Sequence, residues 1–217
     1  MSLAAIIVAA GSSRRMGFDK LLTPLHGVPV LTRSILAFAN TSEVEQTIVV
    51  CPQDRFSQLD LPEGIIRVDG GDERHHSVSA GLAVLADGIT HVAVHDGARP
   101  LISAEQIRKV HQAAIAHRCA TSARQITETV KRANQDGFIQ ESVSRENLWL
   151  METPQIFQRD LLENAYQSVL ESGTLVTDEV SALELNGHPT LLVTNTAPNP
   201  KITFPEDIAL AEKILQE

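Results

Sequence analysis

Apolar and polar positions along this chain follow two periods, and the switches between them mark out its elements. Residues 3–8 (LAAIIV) are an unbroken apolar run ending in small residues and then in bases. That is the pattern of a strand buried on both faces that empties into a loop. Residues 29–40 carry apolar side chains at helical spacing with Pro29 at the start, which predicts a helix. Strands are expected over 47–51, stopped by Pro52, over 65–68 ahead of Gly70-Gly71-Asp72, and over 91–95 ahead of Asp96-Gly97-Ala98-Arg99-Pro100. A helix is expected over 77–86, and Ser103 with Gln106 three residues on reads as a capping box for the next one. Further on the pattern predicts helices near 160–171 and 178–185, the second with Thr177 as N-cap, and a strand over 190–194. The final helix is expected to be capped by Thr203, Glu206 and Pro205. Strands alternating with helices imply an α/β fold, a Rossmann-like doubly wound, mostly parallel sheet with ligands at the carboxyl ends of its strands.

Residues 127–150 depart from that pattern. Polar residues alternate with few apolar ones on either side of Asn134-Gln135-Asp136-Gly137, a hairpin signature with Asp-Gly in the turn. The segment has too little apolar surface for a core of its own and reads as a β-arm projecting from the main sheet. Exposed strand edges need cover, so a second copy of the chain, a homodimer through the arm, is the expected partner.

Composition adjusts the picture in four places. At 217 residues the chain suits one domain spanning 1–217, with the arm as an insertion. Hydrophobic residues make up 43% but aromatics only 4%, so Leu, Val, Ile and Ala must build the core. A net charge of −9 argues against a generic nucleic-acid partner, which wants a broad basic face. Cys51 and Cys119 lie far apart without metal-type spacing, and no leader or long apolar span is visible. A cytoplasmic, reduced protein with no membrane partner is the expectation.

The candidate chemistry begins at Ala9-Ala10-Gly11-Ser12-Ser13-Arg14-Arg15-Met16-Gly17-Phe18-Asp19-Lys20. Small residues let a ligand approach the backbone, loop N–H groups cradle phosphate oxygens, and Arg14, Arg15 and Lys20 supply charge. The spacing fits neither a dinucleotide fingerprint nor a Walker loop. An ordinary strand-to-helix turn with solvated arginines is the plain alternative. Asp96 at a strand end, opposite a phosphate loop, is the best candidate to hold Mg²⁺, which takes few protein carboxylates and uses phosphate oxygens for the rest. A turn-initiating Asp is its plain alternative. Lys201, stiffened by Pro198 and Pro200, suits a lysine meeting charge that develops at phosphorus. His91 and His95 share a strand face but lack further ligands, so a structural role is expected. His75-His76 reads as polar loop. No nucleophile with its base stands out.

Taken in order, these motifs resemble the 2-C-methyl-D-erythritol 4-phosphate cytidylyltransferase family. The resemblance rests on Ala9-Ala10-Gly11, Arg15-Met16 and Lys20; Gly70-Gly71-Asp72-Glu73-Arg74 and Ser77; and Val94-His95-Asp96-Gly97-Ala98-Arg99-Pro100. It continues through Leu148-Trp149, Thr153-Pro154-Gln155, Thr177-Asp178-Glu179 and Lys201-Ile202-Thr203. It implies a nucleotidyltransferase-type fold and transfer of the cytidylyl group of CTP to 2-C-methyl-D-erythritol 4-phosphate. By the same resemblance Arg15 and Lys20 contact the CTP phosphates, and Lys20 and Lys201 stabilise the transition state. Asp96 holds Mg²⁺, and Ala9, Ala10, Gly11, Gly71, Asp72 and Ser77 recognise cytosine. Thr129 and Arg145 reach the second substrate across a dimer interface, with Thr153 and Thr177 completing that pocket. Three positions depart from the family pattern: Ser13 for a glycine, Gly97 for an alanine, and Pro198 where an aspartate helps to place the polyol, with Asn199 as a partial substitute. The rival readings are a molybdenum-cofactor nucleotidyltransferase, whose opening loop is similar, and a non-catalytic nucleotide-binding module on the same fold.

Overall fold

The computed structural model of the chain describes residues 1–11, 16–174, 176 and 178–216. Its centre is a seven-stranded sheet, and the strand order explains the apolar runs. Strands β1 (Leu3–Val8), β4 (Val44–Val50), β5 (Ile66–Val68) and β6 (His91–Asp96) form a parallel block, with β1 between β4 and β6. Strand β10 (Trp149–Gln158) then runs antiparallel between β6 and β7 (Cys119–Gln125), and β11 (Leu191–Thr194) lies parallel at the β7 edge. The sheet is mostly parallel, as the alternation of elements predicts. Two residues each of β2 (Pro24–Leu25) and β3 (Val28–Pro29) make a small separate ladder.

Strand β1 is apolar throughout because its two faces enter two different cores. Leu3, Ala5 and Ile7 pack under α1 (Val30–Ala39) and α4 (Ala104–His117), with Ala211 of α7 (Pro205–Ile214) in the same layer. Ala4 and Ile6 pack on the other side under α3 (Arg74–Leu82), α5 (Arg159–Ser172) and α6 (Glu179–Leu185). Side chains alternate along a strand, so a sheet covered on both faces needs no polar positions. Phe38 on one side and Leu162 on the other are fully buried, each contributing about 2 kcal/mol by leaving water. Cys51 and Cys119 are free and buried, one in each core.

Several element bounds differ from the sequence pattern, for identifiable reasons. Strand β4 starts three residues early because Val44 and Gln46 pair with β1, and Gln46 turns its amide to Val84 and Ala86. Helix α3 begins at Arg74 rather than 77, so His75 and His76 lie on a helix and not in a loop. The turn α2 (Gln53–Phe56) and the strands β7 and β10 lacked a readable period. Ser103 accepts from the Gln106 N–H at 3.1 Å, but the Gln106 amide goes to Ser122, so only half of the capping box forms. The last helix is capped one residue later than expected. Phe204 is its N-cap, Pro205 its first residue, and the Asp207 carboxylate accepts from the N–H groups of Thr203 and Phe204. Asp178 caps α6, accepting from the Ser181 N–H at 3.0 Å; Thr177, expected in that role, lies outside the described residues.

The arm is a hairpin of its own. β8 (Val130–Ala133) and β9 (Ile139–Val143) pair antiparallel in a two-stranded sheet. The turn closes with the Asn134 side chain accepting from the Phe138 N–H at 2.8 Å, and Gly137 takes φ +87°, which a side chain would resist. The expected end of the insertion at 150 falls inside β10, which already pairs with β7 at Trp149 and Leu150.

Candidate active site

The loops after β1, β5 and β6, together with the loop after β11, converge on one cavity of about 590 Å³ at the carboxyl ends of the parallel strands. That is where a doubly wound sheet places its ligand. Of the residues singled out from sequence, Ala9, Ala10, Gly11, Lys20, Gly71, Asp72, Ser77, Asp96 and Lys201 line it. They come from segments almost two hundred residues apart. Arg15 lies outside the described residues, as does Thr177.

The turn after β5 packs tightly on its neighbours beside the cavity. A Cβ at Gly70 would stand 2.5 Å from the Ala10 Cβ and 2.8 Å from the Ser77 Oγ, and one at Gly71 would stand 2.4 Å from the His76 Cβ. Glycine is therefore required at both. The Gly71 N–H meets the Ser77 Oγ at 3.3 Å, which ties the turn after β5 to helix α3.

Asp96 ends β6 with its backbone and side chain both fixed. Its N–H donates to the Thr153 Oγ at 3.1 Å. Its carboxylate faces Lys201 Nζ at 2.9 Å, Arg74 Nη2 at 3.3 Å and Arg99 Nε at 3.5 Å. Burial alone would push this carboxyl up, but Arg74, Lys201 and Arg99 outweigh it and hold Asp96 ionised, far below the usual carboxylate range. Arg74 is held in turn by Glu179, fully buried, which also accepts from the Tyr166 hydroxyl at 2.9 Å. Burial pushes Glu179 up while Arg74 pulls it back. Lys20 Nζ donates to the Ile202 carbonyl at 2.6 Å, next to Lys201, so both lysines sit on one side of the cavity.

Thr153, expected beside the second substrate, supports the end of β6. It is buried, does not line the cavity, and receives the Asp96 N–H, so it positions Asp96. Its hydroxyl proton is then left for His95 Nδ1 at 2.9 Å, and His95 Nε2–H donates to the Arg99 carbonyl at 3.1 Å. That chain needs a neutral imidazole, and burial pushes His95 down to about 4. His95 is structural, as the missing ligand spacing implied. Asn199 is likewise turned inward: its amide donates to the Thr153 carbonyl at 2.9 Å and to Glu152 at 3.2 Å. What it does is pin the loop that carries Lys201. Thr129 and Arg145 lie on the arm side and do not line this cavity; Arg145 donates to the Thr127 carbonyl.

The sequence reading assigned no role to several groups that shape the site. Arg74 and Glu179 stood within quoted motifs, but nothing in the sequence showed that they pair. Gln155 bridges β10 to the start of α6, donating to Asp178 and accepting from the Val180 N–H. Arg55 was missed altogether, having no motif around it.

The residues present fit a divalent cation. Among the described residues no group of three or more His, Cys, Asp or Glu is arranged to hold a metal alone. A cation here would be held by the ionised Asp96 carboxylate, with phosphate oxygens and water supplying the remaining ligands, the mode Mg²⁺ prefers.

Fold and site together define a nucleotide-binding α/β protein with a phosphate-seeking, lysine-lined crevice. The family model described as IspD, 2-C-methyl-D-erythritol 4-phosphate cytidylyltransferase, matches residues 3–217. The chain is 40% identical over 224 residues to the 2-C-methyl-D-erythritol 4-phosphate cytidylyltransferase of Pelotomaculum thermopropionicum, covering 99% of this chain and 94% of that protein. It is also similar in structure to two solved proteins. One is the 4-diphosphocytidyl-2C-methyl-D-erythritol synthase of Anaerococcus prevotii, with a TM-score of 0.86 and 29% identity over 100% of this chain and 96% of the other. The other is the 2-C-methyl-D-erythritol 4-phosphate cytidylyltransferase of Francisella tularensis, with a TM-score of 0.87 and 27% identity over 99% and 100% of the two chains. The chain belongs to the 2-C-methyl-D-erythritol 4-phosphate cytidylyltransferase family. The molybdenum-cofactor alternative is set aside by that full-length match. No helix among the described residues is long and apolar enough to cross a membrane.

Proposed function

We propose that this chain transfers the cytidylyl group of CTP to 2-C-methyl-D-erythritol 4-phosphate, giving 4-diphosphocytidyl-2-C-methyl-D-erythritol and pyrophosphate. The observation that carries the reading is the meeting of Lys20, Asp96 and Lys201 in one cavity with the Ala9–Gly11 and Gly71–Ser77 walls. Cytosine sits against Ala9, Ala10, Gly11, Gly71, Asp72 and Ser77, where unpaired polar edges penalise the wrong base. Arg15 and Lys20 bind the triphosphate. The acceptor phosphate attacks the α-phosphorus directly and pyrophosphate leaves. No covalent enzyme intermediate is required, because placement and charge stabilisation by Lys20 and Lys201 supply the catalysis. Asp96 holds Mg²⁺, which when bound neutralises phosphate charge. Lys201 releases its bond to Asp96 as phosphate oxygens compete for it.

The acceptor side uses Thr177 together with Thr129 and Arg145 of the partner's arm, in a homodimer; Thr153 serves it through its hold on Asp96. The test is pyrophosphate release from CTP and Mg²⁺, with and without 2-C-methyl-D-erythritol 4-phosphate. Release that needs both substrates, and fails with GTP or ATP, supports the reading. No release from folded, CTP-binding protein overturns it in favour of a binding-only role.

A further inference from the structure

Beneath the glycine loop lies a buried guanidinium that does not touch the cavity. Arg55 stands on the single turn α2, which Pro52 starts directly after β4. It is 8% exposed, and each of its nitrogens has a partner on the loop above. Nε donates to Asp19 Oδ2 at 2.7 Å, Nη2 to the Gly11 carbonyl at 3.1 Å, and Nη1 to the Ala9 carbonyl. The other oxygen of Asp19 accepts from the Leu21 N–H at 3.1 Å. One planar fork thus joins the exit of β1 to the return of the loop at Asp19.

We propose that Arg55 and Asp19 form a clasp that sets the shape of the nucleotide loop, acting as positioning residues for CTP. Three consequences of the geometry support this. A trans peptide points its C=O and the next N–H to opposite sides. Drawing the Ala9 carbonyl down to Arg55 therefore turns the Ala10 N–H away from it, as an anion-cradling loop needs. Asp19 immediately precedes Lys20, so the ion pair fixes the backbone from which Lys20 reaches the Ile202 carbonyl. Neither Arg55 nor Asp19 lines the cavity, so their effect on a ligand passes through the loop. A lysine cannot replace Arg55, because only the planar fork spans a carboxylate and two carbonyls at once.

The inference rests on the reading that this loop holds the triphosphate, and the experiment separates the two. Full-length wild type, Arg55→Lys and Asp19→Asn are compared by calorimetric CTP binding, by steady-state kinetics for both substrates, and by melting without ligand. Arg55→Lys is expected to weaken CTP binding and raise the KM for CTP about tenfold, the loss of a charge-assisted hydrogen bond or two. The KM for the acceptor should stay unchanged, with ligand-free melting within about 3 °C of wild type. Asp19→Asn keeps an acceptor for the Leu21 N–H and should lose less, about threefold. Wild-type CTP affinity in Arg55→Lys overturns the clasp even if turnover proceeds as proposed. So does a parallel rise in both KM values with a lowered melting temperature, which marks a role in folding alone. Wild-type protein that binds CTP without transferring it overturns the transfer reading, while calorimetry on Arg55→Lys still decides the clasp.

Discussion

At and beneath the crevice Asp96, Arg74 and Arg55 are each answered by a partner that burial holds in place, while in the arm the side chains meet mainly solvent. Asp96 has Lys201, Arg74 and Arg99 around it, Arg74 has Glu179, and Arg55 has Asp19 and two carbonyls. The arm pairs Arg132 with Glu141 at 2.6 Å, both well exposed, and leaves Phe138 and Ile139 at 72% and 68% exposure. An exposed ion pair contributes about 0–1 kcal/mol, and a lone hairpin is marginal in water. The crevice can therefore be preorganised within one chain. The arm has geometry but no cover, and its use for the acceptor, as proposed, waits on a partner.

The sharpest way to break this contrast is to remove charge from the crevice. Lys20→Ala is expected to lower turnover about 10³-fold with little change in melting, since it deletes stabilisation aimed at the reacting phosphate. Asp96→Asn should lower turnover to a similar extent and also lower the melting temperature, since Arg74, Lys201 and Arg99 lose their common carboxylate. Near-normal pyrophosphate release by either variant would take that residue out of the mechanism. Gly70→Ala comes next. Its Cβ would sit 2.5 Å from Ala10, so it should raise the KM for CTP by more than about tenfold and cost roughly 1–3 kcal/mol in denaturant unfolding. On the arm side, Arg145→Ala should raise the KM for the acceptor about tenfold and spare CTP binding. An unchanged acceptor KM would sink the arm's role.

Smaller effects sharpen the same contrast. His95 is held down at about 4 by burial, as is His111 by burial and then by His91. Both take protons more readily in the unfolded chain, so their contribution is complete above about pH 6.5 and is lost as the pH falls toward 4. Melting should drop about 5–10 °C between pH 7 and pH 5, and His111→Gln should flatten part of that slope. Activity should not follow Asp96 anywhere in this range, because Asp96 stays ionised throughout. Last, Phe138→Ser at the arm tip should change the stability of an isolated chain by under about 0.5 kcal/mol. Sedimentation will show whether it weakens self-association. No change there would leave the tip without a dimer role.

The cavity's lining was readable wherever chemistry and turn residues coincide in a short stretch. Ala9-Ala10-Gly11, Gly71-Asp72 and Asp96 each follow an apolar run, and each lands at a strand end in the cavity. Gly97, which stands where the family pattern has alanine, sits tight: a Cβ there would meet the Leu31 Cδ1 at 2.7 Å. The supports of the site were not readable. Arg55 and Asp19 lie 36 residues apart, and Arg74 and Glu179 lie 105 apart. Nothing in local sequence distinguishes a buried arginine from a solvated one. Thr153 and Asn199 were read as facing the substrate, yet the Thr153 hydroxyl meets the Asp96 N–H and His95, and the Asn199 amide N–H groups go to Glu152 and the Thr153 carbonyl.

By itself the sequence determined the α/β alternation, the apolar β1 with its two faces, the hairpin turn at 134–137 and the identity of the residues offered to a ligand. These follow from local rules: side-chain period, turn chemistry and the company of small residues with charge. The antiparallel insertion of β10 between β6 and β7, the inward turn of Thr153 and Asn199, and the pairing of Arg55 and Arg74 were decided only in the tertiary structure. The physical reason is that a buried charge is tolerable only with a partner in place, and partners are chosen by how the chain packs rather than by how it is spelled.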